Sequence, residues 1–142
     1  MPEEPKNPDL VELEKRLIDA VGRRDLDAIT SLYAPDGVWD MAGTGFGTFE
    51  GRAAIRGFYE DWLASYEEYR IEAEEILDLG HGVGFRVLVQ KGRPVGSTSE
   101  VQLRYANVSE WEDGKIKRIT NYPEIDEARA AAERLAQERN DG

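Results

Sequence analysis

The 142-residue chain contains no cysteine and one histidine, His81. The first absence removes disulfides, thiolate nucleophiles and sulfur-rich metal sites together. The second excludes a polyhistidine metal centre within one chain, so neither a metal nor a cofactor is expected. Long apolar runs are missing too. None approaches the roughly 18 residues that a membrane span needs, and Met1 to Asn7 carry no basic-then-apolar targeting signal. No membrane association is expected, and the expected compartment is the cytoplasm. Positive charge is scarce: 18 Lys and Arg stand against 29 Asp and Glu, a formal charge of −11. Nucleic-acid backbones and anionic lipid surfaces carry the same sign and drop out as partners. The length suits one domain over residues 8–139 behind a disordered tail, residues 1–7, with enough core to enclose a small pocket.

What the chain does contain is strong patterning near its end. Tyr105 to Glu124 reads as two strands around the turn Glu112-Asp113-Gly114-Lys115, because side chains alternate with period two on either side of it. Val101, Leu103, Tyr105, Asn107, Ser109 and Trp111 share one face, and Asn107 is a polar intruder among them. Pro123 ends the return strand.

Earlier segments read as a cover for this hairpin. Asn7-Pro8-Asp9 opens a helix whose stripe is Leu10, Leu13, Leu17 and Val21, and Asp25 caps a short second one. Val38 to Met41 is a short strand, and Gly43 to Gly47 a flexible loop without the Lys-Ser/Thr ending of a phosphate loop. A third helix starts at Gly51 and carries Ile55, Phe58, Tyr59, Trp62, Leu63 and Tyr66 at helical spacing. Two further strands, Tyr69 to Leu79 with a bulge and Val83 to Lys91, meet at Gly80-His81-Gly82, and a helix from Ile125 to Arg139 closes the chain. A lone turn histidine reads as a solvated residue. The class is α+β: a curved antiparallel sheet wrapped around helices to form a cone with an internal pocket.

The stretches DLDAITSLYAPDGVWD, FEGRAAIRGFYEDWLASY and VSEWEDGKIKRITNYPEIDEARA, in that order and spacing, resemble the SnoaL-like branch of the nuclear transport factor 2-like, or cystatin-like, fold. The resemblance implies the cone and spans nearly the whole chain. Its members include steroid isomerases, polyketide cyclases, epoxide hydrolases, dehydratases and binding proteins, so chemistry must come from the site. Against the isomerases, Asp40 falls at the general base, Asn107 at the oxyanion donor, and Leu17 where those proteins carry a tyrosine. Against the epoxide hydrolases, the comparable stretches are Arg86-Val87-Leu88 and Asn121-Tyr122, without their two carboxylates.

The expectations are therefore specific. Asp40, desolvated beside Trp39 and Met41, would be a base of raised pKa, and Asn107 would face a developing oxyanion. Trp39, Phe58, Tyr59, Trp62, Tyr105 and Asn121 would line the ligand site. The substrate would be a compact, mostly apolar molecule, and the reaction a cofactor-free proton transfer next to a carbonyl, of the isomerase or polyketide cyclase type. The alternative is a non-catalytic ligand-binding or accessory module. A homodimer is expected through Leu88, Ala106 and Val108 on the outer face of the sheet, with Arg104 bridging the subunits.

Overall fold

The computed structural model describes residues 9–141. The expected tail and the expected cap by Asn7 lie outside them. Helix α1, Leu10–Gly22, is capped by Asp9, whose carboxylate accepts from the Val11 amide at 3.0 Å. The short helix α2, Leu26–Ser31, is capped by Asp25 through the Ala28 amide at 3.1 Å. Strand β1, Tyr33–Met41, follows, then a 3₁₀ turn at Ala42–Thr44, strand β2, Gly47–Glu50, and helix α3, Arg52–Ala64. Strands β3, Tyr66–Asp78, β4, Val83–Pro94, β5, Val101–Glu112, and β6, Lys115–Tyr122, precede the terminal helix α4, Ile125–Asp141.

These strands form one curved sheet in the order β2-β1-β6-β5-β4-β3. The sheet is mixed, not antiparallel as expected, because β1 lies parallel to β6. Strand β2 overlaps the glycine-rich run and carries no strand signal of its own: it has only four residues, and none of them is buried. The bulge in β3 falls between Ala73 and Glu75. The β5–β6 hairpin turns through Asp113 and Gly114, both at positive φ, 52° and 76°, the twist that two-residue hairpins favour.

Both faces of the sheet are covered. On the concave side α1, α2 and α3 contribute Leu13, Leu17, Val21, Ile29, Ile55, Tyr59 and Leu63 to one core. On the convex side α4 lays Ala128, Ala132 and Ala136 against Val83, Phe85, Val87, Ala106 and Val108. Alanine at these positions lets the helix approach the strands closely. Arg129 of the same helix sits 4.7 Å above the Phe85 ring and pairs with Glu75 at 2.8 Å.

This second core overturns the expected dimer face. Ala106 and Val108 lie beneath α4, and Leu88 points to the concave side. Strand β4 is buried on both faces, so its alternation does not say which face looks inward. Arg104, expected to bridge subunits, pairs with Glu74 of its own chain at 2.7 Å. His81 is exposed in its turn and bonds Asn140 at 3.2 Å. No helix among the described residues is long and apolar enough to cross a membrane.

Candidate functional site

Strand register builds the floor of the concave side. Arg86 pairs with Asn107, and Asn107 with Asn121, so three polar residues from β4, β5 and β6 form one row across the sheet. All three are buried. The Arg86 Nε donates to Asn107 Oδ1 at 2.8 Å, Asn107 Nδ2 donates to Asn121 Oδ1 at 3.3 Å, and the same oxygen accepts from Trp39 Nε1 at 3.0 Å. Asn107 therefore spends both ends of its amide inside the protein.

Behind this row stands Glu14 of α1, fully buried. Its carboxylate accepts from Ser109 Oγ at 2.9 Å and Trp111 Nε1 at 3.1 Å and lies 3.4 Å from Arg86 Nε. Burial pushes the Glu14 carboxyl above its usual range, against the pull of the Arg86 guanidinium and these two donors. Gly84 makes the space: a Cβ there would come within 2.5 Å of Ser109 Oγ and 2.9 Å of Glu14 Oε2.

In front of the row opens a cavity of about 490 Å³, within the usual range for small-molecule sites. One wall is aromatic. Tyr59 stacks on Trp39 with centroids 4.7 Å apart, Phe58 meets Trp39 edge-on at 5.2 Å, and Trp62 stacks on Phe58 at 5.8 Å. Leu17, Val21, Ile71 and Leu88 also line it, and the half-exposed Phe46 and Leu103 stand among the lining residues. Tyr105 and Gln90 add polar atoms. Burial raises the phenols of Tyr33, Tyr59, Tyr69 and Tyr105, the last to about 12, so at neutral pH they are hydrogen-bond donors and not bases.

All six residues expected to line the ligand site do line this cavity: Trp39, Phe58, Tyr59, Trp62, Tyr105 and Asn121, with Asn107 beside them. Asp40 does not. Alternation along β1 turns Trp39 and Met41 inward and Asp40 to the other face. There its carboxylate accepts from the Ala42 amide at 3.0 Å and from Thr48 at 3.2 Å and pairs with Arg118 at 2.6 Å. The expected rise in its pKa is reversed: the Ala42 amide first, then Thr48 and Arg118, hold it below the usual value of 3.8. Its stabilising contribution is thus complete above that value and lost as the pH falls below it. Asp40→Asn should leave ligand affinity within about twofold of wild type, since a partly exposed pair contributes little. Isothermal titration of both proteins with one ligand checks this.

Glu14 is a site residue that the sequence reading does not single out, and Arg86, quoted there only against the epoxide hydrolases and expected on the outer face of the sheet, lies instead on the cavity side. A signal for Glu14 exists, because it lies four residues after Leu10 and three before Leu17, on the buried stripe of α1. For Arg86 it lies in the pairing with Asn107, which sequence alone does not reveal. Among the described residues no cluster of His, Cys, Asp or Glu could hold a metal ion.

Similar chains locate this architecture. A protein with a ketosteroid isomerase-like fold from Catenulispora acidiphila, solved with trimethylamine, is 18% identical with a TM-score of 0.71, over 89% of this chain and 94% of that one. TerC, co-crystallised with polyporic acid, is 18% identical with a TM-score of 0.70, over 90% and 98%. A nuclear transport factor 2-like protein of unknown function from Burkholderia pseudomallei is 20% identical with a TM-score of 0.69, over 87% and 96%. At these identities the likeness establishes the fold and leaves activity open. No curated protein matches the sequence. From the middle of α1 into β6, residues 15–119, the sequence fits the SnoaL-like domain, and the chain belongs to that family.

Proposed function

We propose that this protein is a small-molecule pocket protein that holds a compact, mostly apolar, flat ligand, and that binding is its work. The observation that carries this reading is the open cavity of about 490 Å³. It is walled by stacked aromatics, floored by hydrogen-bonded polar residues, and lined by no Asp, Glu or His among the described residues. Aromatic faces offer large contact area at small entropic cost, and a few fixed polar groups orient what lies against them. The small-molecule complexes of the Catenulispora protein and of TerC are in keeping with such a use of the fold.

Proton transfer next to a carbonyl is the second reading, favoured by the donors of the polar floor, which suit a developing enolate oxygen. It lacks a base, because Asp40 lies outside the cavity and Glu14 is engaged behind it. On the binding reading, a ligand dissolved in deuterated buffer with the protein exchanges its α-proton no faster than in buffer alone.

The test of binding uses the protein's own fluorescence. Trp39 and Trp62 line the cavity, whereas Trp111 is buried beside Glu14. Titration with flat aromatic compounds should quench the emission saturably, and Trp62→Leu should reduce the amplitude. An unchanged spectrum at millimolar concentrations of every compound would overturn the proposal.

A further inference from the structure

We infer that the ligand is an organic acid, a flat and largely apolar molecule whose ionised oxygens seat on the guanidinium of Arg86. The inference rests on the pocket reading above and specifies the chemistry of the same site.

Arg86 is 3% exposed and lines the cavity. Its Nε edge is used by the protein, with Asn107 Oδ1 at 2.8 Å and Glu14 Oε2 at 3.4 Å. Its two Nη atoms make no hydrogen bond to any other described residue. No fully buried side-chain nitrogen or oxygen among those residues lacks a partner. The Nη atoms of this buried arginine must therefore reach the surface of the cavity. A guanidinium presents its donors as a rigid planar fork, whose free edge matches a carboxylate or a pair of acidic oxygens.

The neighbouring polar atoms have the same sense. Asn121 Oδ1 already accepts twice, and Gln90 Oε1 accepts from Tyr69 at 2.7 Å. Asn121 has only N–H groups left to offer, Gln90 keeps its N–H groups beside one lone pair, and Tyr105 brings a protonated phenol that can donate. With the guanidinium fork among them, donors outnumber acceptors on this floor and favour a ligand that brings acceptors.

Charge decides between ligand classes. The aromatic wall by itself would suit an ammonium ion through cation–π attraction, worth roughly 0.5–2 kcal/mol. A guanidinium in the same small, poorly hydrated space repels a cation and attracts an anion more strongly than it would in water. Glu14 offsets part of this field from behind, which keeps Arg86 buried when the cavity is empty. The surface acids that give the net charge of −11 act through solvent and are screened beyond about 8 Å at physiological salt.

The test compares three probes of one shape, 2-naphthoate, 2-naphthamide and 2-(aminomethyl)naphthalene, titrated by calorimetry into the whole protein at pH 7.5. The acid should bind at least tenfold more tightly than the amide, and the amine should not bind measurably. Arg86→Met should abolish the preference for the acid, bringing acid and amide to equal affinity. Because that substitution strands Glu14, the pair Glu14→Gln with Arg86→Met provides a folded background for the same comparison, with circular dichroism as the control. Amide or amine binding as tight as acid binding in the wild-type protein would overturn the inference and leave the pocket reading standing. Failure of all three probes at millimolar concentration would remove the pocket reading itself.

Discussion

Glu14→Leu should lower the unfolding free energy by about 3–5 kcal/mol, the cost of stranding one member of a buried ion pair. In a domain of this size such a loss corresponds to a fall of roughly 10–20 °C in melting temperature. The substitution keeps volume close to constant, so the effect is electrostatic. It leaves the Arg86 guanidinium without its carboxylate, and it orphans the Ser109 hydroxyl and the Trp111 indole N–H, which bond that carboxylate at 2.9 and 3.1 Å. The double variant Glu14→Leu/Arg86→Met should recover the part of the loss that comes from the stranded guanidinium, and not the part that comes from Ser109 and Trp111. Acid should affect the parent and the variant differently. Burial raises the folded-state value of Glu14 above 4.5, so the parent gains stability as the pH falls through that value towards 4.5, and Glu14→Leu lacks this gain. Urea denaturation of the four proteins of the cycle measures all of this. A single-variant loss below about 1 kcal/mol would mean that the carboxylate does not hold the floor together.

Ala132→Asp is expected to be comparably severe, with a loss of about 3 kcal/mol or more. Ala132 is fully buried in the cluster that α4 forms with Val87, Ala106 and Val108, where a carboxylate would lose its hydration. The same substitution at Ala130, exposed on the other side of α4, serves as the control and should stay within about 0.5 kcal/mol of wild type. Equal stabilities for the two variants would mean that α4 does not cover the sheet in solution. The convex face would then be free again for a second copy of the chain.

How far the sequence is legible depends on whether one face of an element dominates. In β5 the alternation is unambiguous, and Tyr105, Asn107, Ser109 and Trp111 share the concave face. Helix α3 keeps the spacing that buries Ile55, Tyr59 and Leu63, with Phe58 and Trp62 at the cavity. In β4 every residue from Val83 to Gln90 is buried, so Arg86 can be assigned inward only through its neighbour on β5. Helix α4 shows the same limit from the other side, since its thin alanine stripe gives no hint that it covers a sheet face. Asp40 is a different case. Period two along Trp39, Asp40 and Met41 separates the acid from its apolar neighbours, whereas the likeness to isomerases points it inward, and the alternation prevails.

The hollow at the centre of this fold has a thermodynamic corollary. Space that side chains could have filled forfeits dispersion contacts, so the empty protein is less stable than a solid core of the same residues would be. Any molecule that fills the space and leaves the unfolded chain alone adds RT ln(1 + [L]/Kd), about 2.7 kcal/mol at one hundred times Kd. Stability and occupancy are then one linked equilibrium. The melting temperature of the chain reports what the cavity holds, with no activity assay and before the compound has been identified.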